Sequence, residues 1–281
     1  MKPPLPNSEL RELVDSYTKQ WGPVSWRHLE SDGFRCDDPS TGRMLYALAL
    51  IEADSMTMRR RISAIGADRV EELLEFITIW LAEEGEHSRA LTQMAIMHGF
   101  EPSTLATRKA TRDLRTLMTW PMLYVLRELR GICAAYCTLG AMQELIALTT
   151  YHHLAADCRS PEIRSVLQAV ARQESHHMRF YRGAAELFLR GSRAAQRNTR
   201  FLVQRLWQPP GLDLLGPGNY EVIFGPILSD PRYATRMLKV DHIVNGLPGM
   251  GGIRVAADYL DQHGFRYEES GAAAPDDSFD D

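Results

Sequence analysis

Two stretches ninety residues apart carry the same pair of side chains, and this repeat leaves the chain very few folds to choose from. The first is Trp80-Leu-Ala-Glu-Glu-Gly-Glu-His87 and the second is Ala171-Arg-Gln-Glu-Ser-His-His177. Each holds a Glu followed three residues on by a His: Glu84 with His87, and Glu174 with His177. Positions i and i+3 share a helical face, so one carboxylate and one imidazole point the same way from each helix. A further Glu precedes each pair on an otherwise apolar helical run. Glu52 lies 32 residues before Glu84, and Glu144 lies 30 residues before Glu174. A carboxylate on such a face is costly unless it is paired or bound to a metal. The order Glu, Glu-x-x-His, Glu, Glu-x-x-His is the ligand set of a dinuclear, carboxylate-bridged metal site in a four-helix bundle. Four carboxylates balance two divalent cations, and two imidazoles suit iron or manganese. A single Glu-x-x-His is ordinarily a solvated helical face; the doubling carries the inference. Glu83, four residues before His87, is an alternative ligand to Glu84, which symmetry with Glu174 favours.

The periodicity around these motifs predicts an all-α fold, a ferritin-like four-helix bundle with additional helices. Ser8 is placed to cap a first short helix reaching about Trp21. Residues 27–41 read as loop, with Asp37-Asp-Pro-Ser-Thr-Gly42 as a turn cluster. The bundle helices are expected at Met44 to about Ile65, Asp68 to about His98, Pro121 to about Asp157, and Ser160-Pro161 to about Arg190. The connections run short, long, short, the long one being a polar crossover at 101–119. That pattern gives two antiparallel pairs joined by a crossover. A fifth helix is expected at 192–207. Residues 208–231, dense in Pro and Gly, read as loop, and short helices near 232–245 and 252–263 close a single domain over 1–267.

Composition narrows the function classes. At 44% hydrophobic and 24% charged, the chain reads as a soluble globular protein. No apolar run looks long enough to span a bilayer, and Met1-Lys-Pro-Pro-Leu-Pro6 lacks the apolar core of a signal peptide. Four cysteines, Cys36, Cys133, Cys137 and Cys158, show no framework spacing, which points to buried free thiols and a reduced, cytoplasmic setting. The last fourteen residues, Glu268 to Asp281, hold six acids and no base; they read as a disordered tail, and without them the net charge of −4 becomes +2. The acidic total argues against a nucleic-acid partner.

With motif order and flanks in hand, the chain resembles the soluble acyl-carrier-protein desaturases of the ferritin-like di-iron carboxylate superfamily, in their bacterial, actinomycete-like form. The resemblance covers most of residues 15–265. It rests on Trp21-Gly-Pro-Val-Ser-Trp26, on the two Glu-x-x-His stretches and on Gln143-Glu-Leu145. It implies a homodimer whose subunits each hold two iron ions. Reduced ferredoxin would supply electrons, O2 would be the co-substrate, and an acyl chain on acyl carrier protein would lose hydrogens, as in fatty-acid metabolism. By position it implies Glu52 and Glu174 as terminal carboxylates, Glu84 and Glu144 as bridges, and His87 and His177 completing the two coordination spheres. Two positions depart from the family pattern. Gln173 stands where an Asp typically backs the site, and Ala147 where a Thr is typical. These departures admit an alternative, a di-iron oxygenase acting on carbon or nitrogen of a specialised metabolite. Metal storage by a ferritin relative is a third reading, disfavoured by the long C-terminal section. Leu91 occupies the place of the radical Tyr of the ribonucleotide reductase small subunit, so a tyrosyl radical there is not expected.

Other residues have bland readings alongside functional ones. His176 reads as an outer or surface residue, and His152 and His153 as packing or helix-end residues. Trp21 or Trp26 is a candidate for an electron path to His87. Arg190, Arg193, Arg197 and Arg200 form either a solvated face or a docking stripe for an acidic partner. Met56, Met94, Met97, Met142 and Met178 read as core filling or as the lining of an apolar tunnel.

Overall fold

The structure, a computed structural model, describes residues 6–20, 22–30, 38–102, 105 and 129–268. The helices are α1 (Asn7–Gln20), α2 (Pro39–Ile65), α3 (Glu71–Met97), α4 (Leu129–Asp157), α5 (Pro161–Leu189), α6 (Arg193–Leu206), α7 (Leu212–Leu215), α8 (Pro217–Leu228), α9 (Pro231–Met237), α10 (Lys239–Asn245) and α11 (Val255–Gln262), with 3-10 turns at Arg27–Glu30 and Ala67–Arg69. Among the described residues there is no strand. The fold is all-α, as the periodicity predicts. The crossover from 106 on, the start of the third bundle helix before Leu129, Trp21, Cys36 and the tail from 269 lie outside the described residues.

Four long helices carry the motifs. α2 packs along α3 and α4 along α5, and the two hairpins meet through α3 and α5. α1 lies across α3 and α5, while α6, α9 and α10 cover α4 and α8 rests on α2. The local chemistry explains the boundaries. Residues 39–42 of the expected turn cluster are in fact the start of α2, five residues earlier than Met44, and Asp37 lies outside the described residues. The Asp38 carboxylate accepts from the Thr41 amide at 3.2 Å and from its hydroxyl at 2.6 Å, and Pro39 takes the first helical position. Gly42 lets α2 lie close against the end of α3, since a Cβ there would meet the Phe100 Cβ at 2.7 Å. Ser160 caps α5 by accepting from the Ile163 amide, ahead of Pro161, and Ser192 caps α6 by accepting from the Ala195 amide. Ser8 does not cap α1, which already begins at Asn7. At the far end of α5, buried Arg130 of α4 donates to the carbonyls of Phe188 at 2.8 Å and Leu187 at 3.1 Å. A cation thus satisfies helix-terminal carbonyls that would otherwise be orphaned.

Two further expectations are corrected. Residues 208–231 are largely helical, not loop. Pro217 sits in the first turn of α8, where its missing N–H costs nothing. Tyr220, Ile223, Phe224, Ile227 and Leu228 form a buried stripe at helical spacing, which outweighs Pro226 within the helix. The second correction concerns α4. By length and average hydropathy alone it passes as a bilayer-crossing helix, with mean hydropathy 1.4 over its most apolar window, 72% of which is buried inside the fold. It lies inside the bundle and carries Glu144.

Candidate metal centre

Helix α2 contributes Glu52, α3 contributes Glu84 and His87, α4 contributes Glu144, and α5 contributes Glu174 and His177. All six side chains converge, and none is more than 6% exposed. They form two overlapping clusters, Glu52–Glu84–His87–Glu174 and Glu84–Glu144–Glu174–His177, each with ligand atoms within 4.8 Å of one another. Glu84 and Glu174 belong to both. The carboxylates common to both clusters are those of the two Glu-x-x-His motifs, while Glu52 and Glu144 each belong to one cluster. The assignment by position instead placed Glu84 and Glu144 between the two halves and Glu174 in one of them. The physical reason is that each motif Glu sits one turn from its own His and faces the opposite hairpin, so it reaches both halves.

Glu174 spans the two imidazoles. Its Oε1 lies 3.0 Å from His87 Nδ1, and its Oε2 lies 3.0 Å from His177 Nδ1. His177 Nδ1 is also 3.3 Å from Glu84 Oε1 and 3.7 Å from Glu144 Oε2. The imidazole centroids are 5.8 Å apart. Both Nδ1 atoms face the carboxylates and both Nε2 atoms face away.

The outer partners complete this arrangement and cross between the hairpins. His87 Nε2 is 2.6 Å from Gln173 Oε1, and His177 Nε2 is 3.0 Å from Glu83 Oε2. Glu83 and Gln173 each immediately precede a motif Glu, so each hairpin supports the other's imidazole. Gln173 Nε2 donates to the Gly22 carbonyl and, at 3.2 Å, to Glu83 Oε1; this fixes the amide with its oxygen toward His87. The Tyr17 hydroxyl donates to Glu83 Oε2 and the Tyr151 hydroxyl to Glu52 Oε1. Glu83 thus stands behind the His177 imidazole and belongs to neither cluster, whereas Glu84 belongs to both.

These partners fit a metal. Amide and carboxylate oxygens accept the Nε2 proton of each ring, so a ring that gave up its other proton to an incoming cation would present its Nδ1 lone pair inward. Glu84 Oε1, His87 Nδ1 and Glu174 Oε1 are buried with no hydrogen-bond partner, although His87 Nδ1 and Glu174 Oε1 approach to 3.0 Å. Buried atoms that carry electron pairs and lack a well-formed hydrogen bond are what a cation would satisfy. Charge balance says the same. Burial first, and then neighbouring carboxylates, pushes Glu84 and Glu144 well above the usual range, and burial also raises Glu52. Burial works to raise Glu174 too, but His87 and His177 outweigh it and hold it below. Both imidazoles are raised: burial opposes their charge, and Glu174 at His87, with Tyr17, Glu144, Glu174 and Glu83 at His177, overcomes it. Without metal, the site must retain protons that cations would displace. The cluster could hold a metal ion.

The remaining candidates fall outside the cluster. His176 is half-buried and points elsewhere; His153 lies at the helix end near Asp157 and Asp230. Trp26 donates to Glu86 at 2.9 Å, one residue short of His87. Met94, Met97, Met142 and Met178 are core residues, as are the thiols Cys133 and Cys137, and Leu91 is fully buried. Arg190 terminates α5 and pairs with Glu9 and Glu186, so it is not on the same helix as Arg193, Arg197 and Arg200. Tyr17 and Tyr151 escaped the sequence reading. Tyr151 is seven residues after Glu144, on the same helical face, which is a usable signal; Tyr17 lies on a separate helix and offers none. Among known proteins, no family model, curated protein or solved structure matches the chain.

Proposed function

We propose that this chain is an O2-dependent di-iron oxidoreductase that desaturates an acyl chain held on acyl carrier protein, taking electrons from reduced ferredoxin, and that it works as a cytoplasmic homodimer. The observation that carries the reading is the presentation of both imidazole Nδ1 atoms, 3.0 Å from the two oxygens of one carboxylate, in a buried site with three further carboxylates, Glu52, Glu84 and Glu144. Bound there, two iron ions would supply oxygen activation and two-electron oxidation. The chain's own residues hold this layer. Glu83 and Gln173 fix the tautomers, Tyr151 orients Glu52, and burial of every ligand keeps bulk water from the site. Arg193 and Arg197, both exposed on α6, a helix with no acidic residue, support a carrier-protein contact through charge. The second reading, an oxygenase, is favoured by Gln173, since an uncharged amide backs His87 where a carboxylate is typical of desaturases.

The test is a single turnover of the ferrous protein with O2 and a panel of acyl carriers, read by mass spectrometry. Loss of two hydrogens supports desaturation, gain of an oxygen atom supports the second reading, and no change with any carrier removes the acyl substrate. Charge reversal at Arg193 and Arg197 to Glu is expected to weaken carrier binding; unchanged affinity at low salt would remove the docking surface.

A further inference from the structure

We infer that the two metal positions are unequal: the position served by Glu144 and His177 takes its ion first and holds it more tightly than the position served by Glu52 and His87. The inference rests on the dimetal reading of the site and concerns what stands behind each ligand. Behind His177 is the carboxylate of Glu83, with Oε2 3.0 Å from Nε2. Behind His87 is the neutral amide oxygen of Gln173 at 2.6 Å. A carboxylate accepting the outer N–H pushes electron density toward Nδ1 and makes it the stronger donor; an amide does so far less. Glu83 is fixed in that role, because the Tyr17 hydroxyl and the Gln173 amide both donate to it. The terminal carboxylates differ in the same sense. Tyr151 donates to Glu52 Oε1, engaging a lone pair that would otherwise serve the ion. Among the described residues no hydroxyl engages Glu144. One position thus has the more strongly supported imidazole and a carboxylate that no described hydroxyl engages; the other has the less supported imidazole and a carboxylate that shares a lone pair with Tyr151.

The inequality has a chemical use. A site that fills in order can take two different metals, or place one electron-rich and one electron-poor ion in a defined arrangement. Gln173 also cannot simply become a carboxylate while Glu83 is one, since its N–H would be lost and two buried anions would face each other across 3.2 Å.

The metal-free full chain is titrated anaerobically with Mn2+, followed by calorimetry and by the electron paramagnetic resonance of Mn2+, which separates an isolated ion from an exchange-coupled pair. Two binding steps about 10–100-fold apart in Kd are expected, the size of effect that outer partners exert on metal affinity. The isolated-ion signal should dominate at one equivalent. His87→Ala should keep the tight step and His177→Ala should lose it. Glu83→Gln should bring the two steps within a few-fold of each other. The swap of Glu83→Gln with Gln173→Glu should restore the gap and reverse which His variant keeps the tight step. A coupled signal that grows from the first addition, with two equal affinities, would overturn the inequality while leaving the dimetal site standing. An unchanged gap in Glu83→Gln would overturn its assigned cause. Absence of any Mn2+ binding would remove the dimetal reading and this inference together.

Discussion

The hairpin of α2 and α3 and the hairpin of α4 and α5 supply the same ligands in the same order, but almost nothing around those ligands matches. Each gives a Glu, then a Glu-x-x-His, and each reaches across to support the other's imidazole. One turn away the likeness ends. In α4, Gly140 lies against the Tyr181 ring so closely that a Cβ would meet it at 2.7 Å, and Tyr181 in turn shares a 2.7 Å hydrogen bond with Tyr136. In α3, Gly85 faces only the tip of Arg89, no nearer than 3.7 Å. α4 is covered by α5, α6, α9 and α10, whereas α3 leaves Leu74 and Ile96 exposed. The difference separates two kinds of constraint. The Glu and His layer has two overlapping clusters of the same composition, as a pair of cations would require. The layers above and below obey packing density, which has no reason to repeat.

Mutations can break that contrast or sharpen it. The largest effect is expected at Glu174, which both halves share. Glu174→Ala should abolish binding of both metals and cost the metal-free chain roughly 3–5 kcal/mol in chemical denaturation, because two buried imidazoles lose their common partner. Glu52→Ala, in one half only, should lose one ion of two, read by metal analysis. Gly140→Ala comes next, with a cost of about 1–3 kcal/mol from overpacking against Tyr181. Gly85→Ala should instead stabilise by up to about 1 kcal/mol, since a helical Gly is replaced where there is room. If both cost the same, the packing contrast between the hairpins is wrong. Tyr151→Phe should cost about 1 kcal/mol, the value of one hydrogen bond to a buried carboxylate, with no equivalent residue to remove beside Glu144.

The response to pH separates the halves least, because raised groups occur in both. Glu52, Glu84 and Glu144 keep protons in the folded, metal-free chain that the unfolded chain releases above about 4.5, so their burial costs stability as pH rises. His87 and His177, also raised, contribute stability that is complete below 6.5 and lost as pH climbs through their folded values. Glu174, lowered, contributes stability lost only as pH falls below 4.5, outside this window. The Tm of the metal-free chain should therefore fall as pH rises above 6.5, where the carboxyl and imidazole contributions are lost together. Metal needs the same groups deprotonated, so the stabilisation it confers should grow over that range. A metal-free Tm that rises with pH would contradict the charge assignment.

The helices and the convergence of the six Glu and His side chains were legible because both follow simple periods. A Glu-x-x-His reads as one face wherever it stands on a helix, and its duplication with an upstream Glu leaves little else that would justify burying four carboxylates. Which carboxylates the two clusters share was not legible, since it depends on which of them reaches the opposite hairpin, a tertiary distance. Glu83 and Gln173 were visible as matching positions, but their crossing over to His177 and His87 follows only from how α3 meets α5. The start of α2 was hidden by Asp38-Pro39, which serves equally as a turn or as a cap and first helical residue. α8 was hidden by its prolines, although the apolar stripe from Tyr220 to Leu228 was present throughout and decides the matter through burial.

Anomalous diffraction from crystals of the full chain grown with ferrous iron tests the central claim most directly. The expected result is two peaks inside the bundle, both touching Glu84 and Glu174, one with Glu52 and His87 Nδ1 and the other with Glu144 and His177 Nδ1. Empty density at that layer, with the imidazoles still bound to Glu174 as simple ion pairs, would contradict it.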